Sequence, residues 1–337
     1  MIFIVYIYIA SALIFLYIFI TGFHDEGNLI ATVIASRSLK PTLIFLLAFF
    51  SQLTGVLFLG TKVAKSTIFG LFNIKVLQFH SEEIPVMVCA AVLGAIVWNL
   101  FTWVVRIPSS SSHAIIGGLM GPFVMKYGFS AINGRGIVLS VLMPLFTSPI
   151  MGFIIGYWLF NFCQRFLNGY STHVKKPLQK LQIVTCTLTN AFQGSNDAQK
   201  GMGIFGLLIM AQTGDYNFSL PSYIIFFSAF TIALGLLIGG KRMIKSVGTK
   251  IYNVKVLHSM SAQISSLAVV VVASTLGFPV SGTQIVNSAI FGVGVADRPN
   301  AVGWLYAKDM LTAWLITIPA SFALSSLFYW IIHLIGV

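Results

Sequence analysis

The sequence predicts an all-α, polytopic membrane protein built from two copies of one unit, on three observations. Hydrophobic residues make up 57% of the chain and charged residues only 8%, against about 25% charged in an ordinary soluble domain. Uncharged stretches recur at 1–23, 41–61, 84–105, 136–164, 216–240, 256–296 and 310–337, several as long as the ~20 residues a helix needs to cross a bilayer. Short motifs in the first half also return in the same order in the second, the mark of an internal repeat.

Taken in order, residues 1–23 lack a basic leader and a small-residue cleavage pattern, so they read as a first membrane helix that is kept. Gly22-Phe-His-Asp25-Glu-Gly-Asn28 follows, and it aligns with Gly194-Ser-Asn-Asp197-Ala-Gln-Lys200 at an offset of 172. Gly55, Gly60 and Lys65 match Gly235, Gly240 and Lys245 at an offset of 180, the drift pointing to an insertion at the polar loop 212–217. Pro108-Ser-Ser-Ser-Ser-His113 pairs with Pro279-Val-Ser-Gly-Thr-Gln284 at an offset of 171. The division expected is a first membrane repeat over 1–161, a basic linker over 162–180 and a second repeat over 181–337, with about 10–12 membrane segments in all. The pieces at 107–125, 181–196 and 201–214 are shorter and interrupted by Gly, Ser, Pro or His; whether they cross or re-enter is not legible.

The net charge of +12 resides mainly in connectors, at Lys62, Lys65 and Lys75, in 162–180 and in 241–255. That distribution fits positive-inside topology and lipid-headgroup contact rather than nucleic-acid binding, and places 162–180 and 241–255 on the cytoplasmic side. Cys89, Cys163 and Cys186 are odd in number and lack metal-ligand spacing, so packing accounts for them. No nucleophile with a positioned base, zinc-protease motif or nucleotide loop is evident, which argues against an enzyme.

An ionisable residue flanked by apolar segments is costly in a membrane and needs a cavity, a cation or a proton. One Asp could simply cap a helix at the surface; two at equivalent positions, Asp25 beside His24 and Asp197 beside Asn196, argue for function. The proline motifs have different chemistry. Each should interrupt one helix and begin another, and a helix start presents unpaired N–H groups that hold an oxyanion. Ser110, Ser112, Ser281 and Thr283 add hydroxyls, although these could also serve only as caps. Gly117, Gly118 and Gly121, with Ser288, Ala289 and Gly292 in the other half, would let the following helices pack closely. Hydrogen phosphate both donates and accepts hydrogen bonds whereas sulfate only accepts, so carboxylates beside hydroxyl donors lean toward phosphate. Carboxylates also repel an anion, so a cation should accompany it, and Asn28, Asn196 and the two Asp supply hard oxygens for one. Arg106 either compensates substrate charge or snorkels to the interface. Lys200 either pairs with Asp197 or reaches the anion. Glu82, Glu83, Asp215 and Asp297 read as solvated.

The four motifs together resemble the paired signatures of the inorganic phosphate transporter (PiT) family, bacterial low-affinity type, across nearly the whole chain. The resemblance implies inverted repeats with broken or re-entrant helices, often dimeric, in a multi-pass protein of the cell membrane. Its expected activity is import of inorganic phosphate by alternating access, in symport with H⁺ or Na⁺ or as a metal–phosphate complex, with no resident cofactor and the metal unspecified. It also implies a site in which Asp25, Asn28, Asn196 and Asp197 hold cation and phosphate, Ser110, Ser111, Ser112, Ser281 and Thr283 hold phosphate, and His24 takes part in proton coupling. The chain departs from the pattern at His24, where Asn is usual, at Gly282, where a hydroxyl is expected, and at Gln284, where His is expected. Rival readings are a sulfate or other tetrahedral oxyanion permease of the same fold and a cation channel lined by Asp25 and Asp197.

Overall fold

A computed structural model describes residues 2–78, 81–105, 107–167 and 175–335, apart from the side chains of 2, 81, 167, 175 and 241–250. Arg106 and positions 168–174 of the basic stretch therefore lie outside the described residues. The helices are α1 (Ile2–His24), α2 (Gly27–Ala35), α3 (Pro41–Phe58), α4 (Lys62–Leu71), α5 (Ile74–Gln78), α6 (Ile84–Val105), α7 (Ser111–Tyr127), α8 (Gly134–Gly136), α9 (Met143–Leu167), α10 (Lys175–Thr213), α11 (Ser222–Lys250), α12 (Val256–Leu276), α13 (Gly282–Asp297) and α14 (Trp304–Leu334). A π-helical segment, Ile137–Leu142, joins α8 to α9. Among the described residues the only extended pairing is a single bridge between Phe72 and Ile132.

Seven stretches among the described residues are long and apolar enough to cross a membrane, beginning with Phe3–Ala35, which spans α1 and α2, and ending with Trp304–Leu334. The polarity of the bundle is the reverse of a soluble protein's. Phe58 is 81% exposed, and Tyr8, Trp158, Phe166 and Leu315 are also turned outward. Asp197 is 2% exposed, and His24, Asp25, Glu26 and Lys200 are buried with it. An apolar perimeter around a charged interior is the arrangement a lipid solvent requires, because hydrocarbon satisfies no polar group. The chain is a multi-pass membrane protein.

The interior is filled by elements too short or too polar to count as apolar spans. α7 packs between α6 and α14, and α13 between α9 and α12. Their glycines permit the contact: a Cβ at Gly117 or Gly121 would strike the carbonyls of Ile318 and Phe322 on α14, and one at Gly292 the carbonyl of Phe153 on α9. Small residues at such faces let helix backbones approach where no hydrophobic force draws them together.

α10 is a single helix of 39 residues, although it carries Asn190, Gln193, Asn196, Asp197, Gln199 and Lys200 in its middle. It stays unbroken because many of these groups bond within the helix: Thr189 to the Thr185 carbonyl at 2.7 Å, Asn190 to that of Cys186 at 2.8 Å, Gln193 to Asp197 at 2.7 Å and Gln199 to Ser195 at 2.9 Å. Helix neighbours four apart meet on one face. The two Asp motifs thus differ in backbone: α1 ends at His24 and α2 starts at Gly27, whereas Asp197 lies mid-helix.

The third sequence anchor also differs between its two occurrences. Gly60 follows α3 in a turn with φ of +82°, a conformation suited to glycine, whereas Gly240 lies inside α11. Of the stretch 162–180, positions 162–167 complete α9 and 175–180 begin α10.

Candidate functional site

The break between α1 and α2 meets the starts of α7 and α13 and the middle of α10. Pro108 and Pro279 interrupt the chain in the same way, each at the same distance before a new helix, with Ser110 and Ser281 as N-caps. These two caps touch, Ser110 donating to Ser281 Oγ at 3.0 Å. Three residues further along, the Gln284 amide donates to His113 Nδ1 at 3.1 Å, so the imidazole proton belongs on Nε2.

Asp25 sits at the mouth of α7. Its Oδ2 accepts from the Ser111 backbone N–H at 3.2 Å and from the Ser111 hydroxyl, and its Oδ1 lies 2.6 Å from His24 Nδ1. The dipole end of α7 is therefore occupied by the protein's own carboxylate, a favourable place for negative charge. Tyr17, fully buried about two turns earlier on α1, donates to the Ser111 carbonyl at 3.2 Å and holds α7 against α1.

Asp197 is held differently. The counterpart of Ser111 in the second half is Gly282, which has no hydroxyl. The Gln193 side chain lies where a Cβ of residue 282 would be, with Cγ and Cδ both 2.5 Å from that point. From there it donates to Asp197 Oδ2 at 2.7 Å. The other carboxylate oxygen accepts from Lys200. Lys200 Nζ also donates to Ser112 Oγ and to the Val280 carbonyl, both at 2.5 Å. Of the two readings open for Lys200, this structure has the pair with Asp197.

The remaining candidates fall into the same cluster. Asn28 donates to Thr283 Oγ1 at 3.2 Å. Asn196 accepts from the Val280 N–H at 3.1 Å and donates to the Phe278 carbonyl at 2.9 Å and to Ser274 at 3.1 Å, so it fastens α10 to the α12–α13 connection. Ser112 donates to the Val280 carbonyl at 3.1 Å. All nine residues expected to bind phosphate are buried, as is His24.

Sequence reasoning passed over Glu26. It is 1% exposed, accepts from Gln52 Nε2 at 2.6 Å and faces Asp197. Its position inside the first Asp motif was visible, but comparison of the repeats hid it, because its counterpart is Ala198. Gln52 was missed as a single amide in an apolar segment, where a polar side chain on a membrane helix is the signal that would have found it; Gln193 was hidden in the polar run ahead of the second Asp motif.

Several buried atoms in this region have no partner among the described residues: Glu26 Oε1, Asn28 Oδ1, Gln52 Oε1, Gln193 Oε1, Gln284 Oε1, Asn287 Oδ1 and the Nε2 atoms of His24 and His113. Acceptors predominate. Among the described residues no three His, Cys, Asp or Glu converge as a ready-made metal centre. Away from the cluster, Asp297, read as solvated, is paired with Tyr252 at 2.5 Å and His258 at 3.2 Å, and Glu83, solvated as expected with its side chain 43% exposed, also meets Lys126 at 3.1 Å. Each gains a partner from an element distant in sequence, which composition cannot show.

Comparison with known proteins gives consistent results. The model of the "Phosphate transporter family" matches residues 21–325. A "Probable low-affinity inorganic phosphate transporter" of Bacillus subtilis (strain 168) is 37% identical, covering 94% of each chain. A protein of the same description from Rhizobium meliloti (strain 1021) is 36% identical, again over 94% of each. Among solved structures, one described as "The sodium-dependent phosphate transporter" superposes with a TM-score of 0.88 at 22% identity, covering 98% of this chain and 100% of that one; it is similar in fold.

Proposed function

The chain belongs to the phosphate transporter family, and from that premise we propose that it imports inorganic phosphate by cation-coupled symport with alternating access. Its relatives are transporters, not enzymes. The observation that carries the coupling is an imbalance of charge. Asp25, Glu26 and Asp197 are all buried in one cluster, and the buried ammonium there is that of Lys200. Like-charged carboxyls held together in a dry interior demand a proton or a cation between them. The unpartnered acceptor oxygens around them are suited to H⁺, Na⁺ or a divalent metal travelling with phosphate.

In this reading phosphate docks where the two helix starts meet. Ser110, Ser111, Ser112, Ser281 and Thr283 donate to its oxygens, Asn28 and Asn196 line it, and Asp25 or Asp197 accepts its hydroxyl. Sulfate at neutral pH has no proton to give those carboxylates. His24, in contact with Asp25 and with its second ring nitrogen unpartnered, is placed to relay a proton. The two halves meet at this point through polar contacts, Asn28 with Thr283, Ser110 with Ser281, His113 with Gln284 and Lys200 with Ser112, which an alternating-access movement of inverted repeats about a shared site would rearrange. The names of the relatives and of the structural neighbour support phosphate as cargo, and the neighbour's name supports Na⁺ among the candidate cations.

The test is radiolabelled phosphate uptake into proteoliposomes, with H⁺, Na⁺ and Mg²⁺ gradients imposed one at a time. Uptake should follow one of these gradients and resist excess sulfate. Ion currents indifferent to phosphate would replace the reading with a channel, and full competition by sulfate with a general oxyanion permease.

A further inference from the structure

Lys200 and Asn28 occupy equivalent positions of the two Asp motifs, and the structure gives them crossed, equivalent partners. Asn28 donates to Thr283, and Lys200 donates to Ser112, the counterpart of Thr283 in the first half. One position carries a neutral amide and the other a cation. The ammonium is 1% exposed, and its three donors meet a carboxylate (Asp197), a hydroxyl (Ser112) and a backbone carbonyl (Val280) contributed by α10, α7 and the residue before the α13 cap. A primary ammonium has three N–H groups and no acceptor, so each donor has one oxygen. Carboxylate, hydroxyl and carbonyl oxygens converging from the middle of one helix and the starts of two others are also the donor set that transporters use for an alkali cation.

We infer that Lys200 is a tethered cation: its ammonium takes the place at Asp197 of one monovalent ion, so this chain needs one coupling cation fewer than it would with an amide at position 200. The assignment rests on the proposed function only for its consequence in transport. Gly282 lacks the hydroxyl that Asp197 would receive by analogy with Ser111 and Asp25; Gln193 donates to one Asp197 oxygen in its place and Lys200 to the other.

The experiment compares wild type with Lys200→Asn, which reproduces the Asn28 side chain, in NaCl and in choline chloride. Lys200→Asn should show a saturable rise in Tm with Na⁺ beyond any rise that purified wild-type protein shows between the two salts. In proteoliposomes at a fixed proton gradient, uptake by Lys200→Asn in choline should fall at least tenfold below wild type in choline and recover with Na⁺; Lys200→Arg should respond to Na⁺ no more than wild type does. A variant that ignores Na⁺ in both assays, or a Tm response to Na⁺ equal in wild type and variant, overturns the inference. Should Lys200→Asn fold poorly, its yield of monodisperse protein is compared in the two salts: rescue by Na⁺ supports the assignment and equal loss overturns it. Failure of the wild type to move phosphate would refute the transport reading, while the Tm comparison would still judge Lys200.

Discussion

Ser110 Oγ donates to Ser281 Oγ at 3.0 Å across 171 positions of sequence, so the caps of the two interrupted helices form a direct bond between the halves of the chain. His113 and Gln284 repeat the relationship at the same separation. A pair of equivalent residues in mutual contact is what a two-fold axis through the contact produces. Any rocking of one half against the other has to separate or shear it.

Replacing Ser110 and Ser281 by Cys, with Cys163 changed to Ser, should allow a disulfide under mild oxidation. The other native cysteines, Cys89 and Cys186, are buried. Oxidised protein should lose at least nine-tenths of the phosphate uptake that the same variant retains when reduced, and return to that level with reductant, and gel mobility should report the closed loop. Full activity in the cross-linked form would show that the halves do not move at this point.

How much of this was legible beforehand follows from what repeats and hydropathy encode. The apolar spans, the helix starts after Pro108 and Pro279, and the buried Asp residues could all be read, because each depends on local sequence. Contacts could not. The offset between Ser110 and Ser281 says that they are equivalent, not that they touch, and Lys200 alone does not name Ser112. The unbroken course of α10 was hidden too, since its polar run resembles a loop until its groups are paired along the helix. Tyr17 was masked by the uniformly apolar α1 around it.

Asp197→Asn should both destabilise the protein and stop uptake. Removing one member of a buried ion pair leaves the other charge uncompensated, at a cost of about 3–5 kcal/mol, and here that charge is Lys200. Changing Lys200 to Met in the same protein should recover most of the lost Tm while leaving uptake absent. Wild-type uptake by Asp197→Asn would remove the carboxylate from the mechanism.

Glu26→Gln should behave in the opposite sense. It replaces a buried carboxyl facing Asp197 with an amide of the same shape, relieving like-charge repulsion, while the contact with Gln52 can be kept by an amide flip. Its Tm should match or exceed that of wild type. Uptake should nevertheless fall more than tenfold, because a carboxyl that balances the coupling cation has gone. Loss of folded protein instead would assign Glu26 a structural role.

The departure at Gly282 is coupled to Gln193, and a double-mutant cycle should measure the coupling. A serine at 282 would restore the hydroxyl that Ser111 supplies in the first half, but its Cβ would fall on the Gln193 side chain, with Cγ and Cδ both 2.5 Å away. Gly282→Ser alone should therefore lower stability by about 1–3 kcal/mol, the usual cost of overpacking. Gln193→Ala alone should also destabilise, since Asp197 then loses its amide donor at 2.7 Å. Together they should cost less than the sum, by an interaction of about 0.5–3 kcal/mol, because the new hydroxyl has room and Asp197 has a donor again. Additive losses would mean that the serine does not reach Asp197, and that Gln193 fills the space over Gly282 without standing in for the missing hydroxyl.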